Sequence, residues 1–210
     1  MEEKSESLSK GEATRERLLE IAEEAIVAKG FSNTSIDEII AAAGLTKSGF
    51  FYHFRDKTEL AKALIERFIE QDRRSMDRHW RRGAELSDDP LQQLLISLRL
   101  FAEQFADLEE THPGCIVASV AYHDRQFNDE VRALNARAIL AWRERLVPQF
   151  ETIAEAYPPR IEIDLRHLAD MLCSIADGGL VVGRVLDEPR FISEQILAYR
   201  KFVQAVFAGP

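Results

Sequence analysis

Apolar residues recur at three- and four-residue spacings along almost the whole chain, the period of helices that bury one face. Leu18, Ile21, Ala22, Ala25 and Ile26 form the first stripe, in a helix expected from about Thr14 to Gly30, with Phe31 folding back as a core plug. Ile36, Ile39 and Ile40 form a shorter stripe behind Ser35, whose hydroxyl can accept from the Glu38 N–H while Glu38 returns a bond. Ala41, Ala42 and Ala43 are small enough for another helix to cross closely, and Gly44 can take the left-handed conformation that ends a helix. Thr46 can then cap a third helix, which presents Lys47, Ser48, Gly49, Tyr52 and His53 while Phe50, Phe51 and Phe54 supply apolar mass. A fourth helix opens on Asp56 and Glu59, buries Leu60, Ala61, Leu64, Ile65 and Phe68, and meets no breaker before Gly83. Its later part, DRRSMDRHWRR, reads as a charged, solvated face.

Beyond LSDDP, Asp88 or Asp89 can cap a fifth helix that has Pro90 at its first position and Leu91, Leu94, Leu95, Leu98, Phe101, Ala102 and Phe105 on its buried face. THPG is a turn, CIVASVAYH a short helix, and Asn128 to Ala156 a long one that Pro148 should kink. Asp164 caps a helix reaching about Leu186, and Pro189 introduces the last. These two terminal helices carry more apolar surface than one domain can hide, so an isologous homodimer is expected. Its seam is predicted along Leu172, Ile175, Gly179, Gly183, Ile196, Tyr199 and Val203, with the glycines, each costing about 1 kcal/mol inside a helix, allowing close approach. No strand or repeat pattern is present. The fold class is all-α: a flexible tail over 1–12, a three-helix helix-turn-helix domain over 13–57, and a larger helical bundle over 58–210.

Helix, glycine-containing turn and second helix is the unit that lays its second helix in the DNA major groove. A formal net charge of −9 argues against coating nucleic acid nonspecifically. From Gly44 to Arg55, however, there is no carboxylate, and Lys47, Arg55 and Lys57 cluster there. Lys47 and Ser48 are candidates for base edges, since lysine can donate to guanine. Ser35 and Thr46 are caps that can also offer a hydroxyl to phosphate, and His53 suits phosphate or a backbone group. Phe51 can face sugar or a thymine methyl, and Lys57 stands beside a helix N-terminus, where phosphate is favoured. The expected partner is a double-stranded operator. No run of residues is long and apolar enough for a membrane span, the N-terminus has no apolar signal core, and two cysteines suit a reduced protein, so a cytoplasmic location is expected.

TRERLLEIAEEAIVAKGFSNTSIDEIIAAAGLTKSGFFYHFRDKTEL resembles the N-terminal domain of the tetracycline-repressor (TetR) family. The matching positions are Ala22, Gly30–Phe31, Thr34–Ser35, Ile39, Ala43–Gly44–Leu45, Lys47, His53–Phe54, Lys57 and Leu60. The resemblance implies a homodimeric repressor, dimerised mainly through its last two helices and released from its operator by a small, mostly apolar effector. It also implies that Lys57 contacts phosphate. Where the family usually has a tyrosine for phosphate this chain has Phe51, with Tyr52 one place later, about 100° around the helix.

An effector pocket can be drawn from Phe101, Phe105, Cys115, Tyr122, His123, Trp142, Met171 and Asp177. Asp177 sits on an otherwise apolar helix and wants a partner, which can be a cationic effector, an arginine such as Arg184, or water, with the structural ion pair the favoured expectation. No cofactor or metal is expected. The competing class is a helical-bundle metal protein or enzyme, on the strength of Glu109-x-x-His112 and a looser Asp164-x-x-His167.

Overall fold

Side-chain caps set the start of most of the helices. The computed structural model describes residues 9–208. Ser9 and Glu12 exchange side-chain and backbone hydrogen bonds, so α1 (Lys10–Lys29) starts ahead of Thr14. Of the expected tail, residues 1–8 lie outside the described residues, while 9–12 form this cap and first turn. α2 (Ile36–Ala43) is capped by Ser35 and closed by left-handed Gly44, and α3 (Lys47–His53) is capped by Thr46. α4 (Lys57–Leu86) runs straight past Gly83. A Cβ there would lie 2.4 Å from the Ser97 hydroxyl and 2.5 Å from the Gln93 carbonyl, so this glycine marks the closest approach of the next helix.

That next helix is α5 (Pro90–Glu103), capped by Asp89, followed by α6 (Ile116–Ala121) and a 3-10 turn at Asp124–Gln126. α7 (Asp129–Ala156) stays continuous through Pro148, with the Gln149 side chain donating to the Arg145 carbonyl at 3.1 Å and Thr152 to that of Pro148 at 3.0 Å. α8 (Leu165–Leu186) and α9 (Phe191–Phe207) complete the all-helical fold.

The buried side chains fall into two clusters. One joins Leu18, Ile39, Phe50, Phe54 and Leu60 to Ile116, Val120, Phe127 and Val131, so α6 and the start of α7 complete the core of the helix-turn-helix unit. The other joins Met76, Leu98, Phe101, Trp142, Phe150, Leu172 and Ile196. α4 contributes to both and is held to α1 by Arg67, whose largely buried guanidinium meets Glu16 at 2.5 Å, Glu20 at 3.6 Å and also Glu23.

Two packing expectations are corrected. Of the three alanines of α2 only Ala43 is buried; Ala41 and Ala42 face outward. The seam residues on α8 and α9 serve the protomer itself. Leu172, Ile196, Tyr199 and Val203 are fully or almost fully buried within the single chain, and Tyr199 donates to the Leu168 carbonyl at 2.6 Å. Cβ atoms at Gly179 and Gly183 would lie 3.1 Å from Ile192 Cα and from Phe191 Cβ, so these glycines bring α9 against α8 of the same chain. Ile175 is half-buried in the same cluster. The apolar surface left outside is a different strip of α8, Val181, Val182, Val185 and Leu186, with Phe202 on α9.

Candidate nucleic-acid interface and effector cavity

The helix-turn-helix is set by local bonds and two buried rings. Gly44, at φ 66°, donates to Ala41, and Leu45 donates to Ile40 at 3.1 Å, which closes the turn. The Gly49 N–H donates to Thr46 Oγ1 at 3.2 Å, and Thr46 and Ser48 share a hydrogen bond at 3.0 Å. Phe50 and Phe54 are buried, which turns Thr46, Lys47, Ser48 and Tyr52 outward. Gly49 faces back onto Thr46 and Leu45, so it keeps the turn tight and presents no edge of its own. Phe51 is half-exposed, edge-on to Phe50 at 5.4 Å, whereas Tyr52 is 82% exposed with its ring against half-buried His53 at 5.0 Å. Of the two aromatics, Tyr52 carries the hydroxyl and is the freer.

The positive charge of this tip is arranged otherwise than the carboxylate-free stretch suggests. Lys47 pairs with Asp37 at 2.9 Å across open solvent, a contact of the kind that contributes less than about 1 kcal/mol and exchanges readily for phosphate. Ser35 accepts from the Glu38 N–H at 3.1 Å, and the Glu38 carboxylate is bridged mainly to Lys29 while the Ser35 backbone N–H also helps hold its pKa down. Lys57 turns inward: it donates to the Phe31 carbonyl and lies 4.3 Å from the centre of that residue's ring, and burial lowers its pKa. The phosphate role implied for Lys57 is therefore not its placement here. A cation that the motif did not single out, exposed Arg15 of α1, lies 5.1 Å from the ring of Phe54 at the end of α3.

Further along the chain, five of the expected pocket residues converge. Phe101, Phe105, Cys115, Trp142 and Asp177 line a cavity of about 300 Å³ between α4, α5, α7, α8 and the start of α6. Phe101 meets Phe105 at 5.6 Å and Trp142 at 5.5 Å, both edge-on. The other three expected residues lie elsewhere. Tyr122 is exposed on an open groove of about 640 Å³ that shares Asp177 with the cavity and is otherwise lined by residues such as Val117, Ile139 and Val181. His123 faces the Ser119 carbonyl at 2.9 Å and packs against Gly30. Met171 packs in the second core cluster without lining the cavity.

Residues that the pattern did not offer complete the lining, among them Asp72, Ser75, Gln104 and His112. Asp72 opens the stretch read as a solvated face; one turn further on, Met76 is buried. Burial, reinforced by the charge of Asp177, pushes the Asp72 carboxyl up to about 6, against a bond from Trp142 and the charge of Arg145. Burial also raises Asp177, against a bond from Cys115, and it pushes the Cys115 thiol up to about 12. The expected Asp177–Arg184 pair is not formed, because Arg184 donates to the Pro113 carbonyl at 2.7 Å. Burial lowers the pKa of His112, whose Nδ1 accepts from the Gly114 N–H at 3.2 Å, so a neutral ring carries its proton on Nε2.

The metal constellations do not assemble. Glu109 lies in an irregular, exposed segment, and Asp164 is the cap of α8, bridged to Arg166 at 2.9 Å. Among the described residues, no group of three or more histidine, cysteine, aspartate or glutamate side chains is placed to share a metal ion.

Residues 18–64 match the family described as bacterial regulatory proteins, tetR family. The chain is 26% identical over 176 residues to the "Probable HTH-type transcriptional regulator ArpR" of Pseudomonas putida, covering 82% of this chain and 80% of that protein. It is 31% identical over 122 residues to the "Probable acrEF/envCD operon repressor" of Escherichia coli, covering 57% and 52%. Its fold is similar to that of a TetR-family transcriptional regulator from Agrobacterium tumefaciens, with a TM-score of 0.76 at 18% identity, over 94% of this chain and all of that one.

Proposed function

Since the chain belongs to the TetR family of bacterial regulatory proteins, we propose that this DNA-binding transcriptional regulator represses its target genes as a homodimer and is released by a small effector. The observation that carries the DNA role is the outward set Thr46, Lys47, Ser48 and Tyr52 on a short helix whose other face, Phe50 and Phe54, is buried. Their size and polarity suit base edges and the adjoining phosphates, with Arg15 beside them for the backbone. The dimer seam we assign to Val181, Val182, Val185, Leu186 and Phe202, an apolar strip that a second copy would cover, in place of the buried residues inside the protomer. A two-fold dimer reads a palindromic operator. No described helix is long and apolar enough to cross a membrane, and we place the protein's action with DNA in the cytoplasm.

Effector control we assign to the aromatic cavity, because α6 links it to the DNA unit. Cys115 at the head of α6 lines the cavity, and at the other end His123 packs on Gly30. Just beyond, Gln126 donates to Ser32 at 2.6 Å, and the Phe127 and Phe31 rings lie 4.5 Å apart. A ligand that favours one position of α6 shifts the population of DNA-competent dimers. Selecting duplexes from random DNA with the purified protein tests the reading. An enriched palindrome whose binding weakens steeply with salt is expected, and indifference to every duplex at low ionic strength would overturn it.

A further inference from the structure

We propose that the aromatic cavity takes an organic cation, its positive centre held by Asp72 and Asp177 and its apolar body against Phe101, Phe105 and Trp142. The inference rests on reading this cavity as the effector site, and adds the charge of the ligand.

The ionisable lining is Glu23, Asp72, His112, Cys115 and Asp177, with no lysine or arginine among it. Glu23 is already bridged to Arg67. His112, lowered by burial, adds no positive charge at neutral pH, and Cys115, pushed up to about 12, stays a thiol. The charges a ligand meets are therefore those of Asp72 and Asp177. Neither forms an ion pair among the described residues: Arg145, whose charge acts on Asp72, is bridged to Asp77, and Arg184 is held by Pro113. Two carboxylates withdrawn from water without an ion-pair partner of their own are costly, the charge of Arg145 offsets that cost for Asp72 only in part, and the charge of Asp177 adds to it. A neutral ligand leaves that cost in place and an anion adds to it. A cation offsets it, and the clustered rings of Phe101, Phe105 and Trp142 offer faces that attract a quaternary or protonated amine.

Calorimetry on the full-length protein with three probes of similar size tests the charge: benzyltrimethylammonium, its uncharged carbon isostere neopentylbenzene, and phenylacetate. The cation should bind at least about tenfold more tightly than either of the others. Asp72→Asn and Asp177→Asn should each weaken the cation by about tenfold or more and leave the isostere unchanged or tighter. Equal or tighter binding of neopentylbenzene, preference for phenylacetate, or full cation affinity in both variants overturns the proposal while leaving the cavity a ligand site. Failure of all three probes to bind overturns both the proposal and the effector reading. Cation binding that leaves affinity for the selected duplex unchanged supports the ligand class and removes the effector role. Circular dichroism and melting of the two variants separate lost folding from lost binding.

Discussion

The ammonium of Lys57 lies over the ring of Phe31 and donates to the same residue's carbonyl, so the first residue of α4 is fastened to the segment that joins α1 to α2. The contact spans the helix-turn-helix unit from end to end. It replaces water around the ammonium with a carbonyl and an aromatic face, which is how a half-buried lysine keeps its charge.

Lys57→Met keeps the stem and removes the charge. It should lower stability by about 1–2 kcal/mol, read from urea denaturation. Because the ammonium faces inward, the slope of log affinity against log salt should stay as in the parent protein. A slope smaller by about one unit would return Lys57 to the phosphate backbone.

Arg15 and Lys47 should separate by the same measurement. Arg15→Ala is expected to weaken all duplexes alike and to reduce the salt slope by about one unit, as befits a backbone contact. Lys47→Ala should change which bases are preferred within the half-site, since its partner Asp37 is exposed and easily given up. A repeat selection that returns the parental site from the Lys47 variant would end that assignment.

Asp72 should make stability fall as pH rises. Its carboxyl, raised by burial from 3.8 to about 6 in the folded chain, binds a proton more tightly there than in the unfolded chain. The stabilisation is therefore complete below about pH 4 and is lost as pH climbs through about 6. Asp72→Asn removes this dependence while keeping an acceptor for Trp142. The variant should be more stable than the parent by about 3 kcal/mol at pH 7.5, with the gap closing towards pH 4. A gap independent of pH would mean that the carboxylate is solvated.

Val185→Glu places a charge in the middle of the exposed strip of α8, where Val185 itself is 79% exposed. If a second copy covers that strip, the variant should sediment as a monomer with unchanged helix content, and its affinity for a palindromic site should collapse. A dimer that survives this change would move the seam elsewhere. Leu172→Glu, by contrast, should prevent folding, because Leu172 has no exposure in the single chain.

The sequence by itself determined what depends on neighbours along the chain. Periodicity located the helices, and Ser35, Thr46, Asp56 and Asp164 each cap the helix that follows. The turn at Gly44 and the outward set on α3 follow from the same short-range rules, because a cap, a left-handed glycine and a helical face need only a few adjacent residues. Tertiary structure decided what depends on which faces meet. α8 is apolar nearly all round, and only its packing on α9 shows that Leu172, Gly179 and Gly183 face inward while Val181 and Val185 stay outside. Asp72 sits in a stretch whose composition reads as solvated, yet α5 and α7 close over it beside Asp177, which is distant in sequence. Lys57 finds Phe31 in the same way, across 26 residues. Hydrophobic period fixes that a helix has a buried side, but burial, charge pairing and desolvation are set by the elements that come to lie against it, and these are brought there by the fold as a whole.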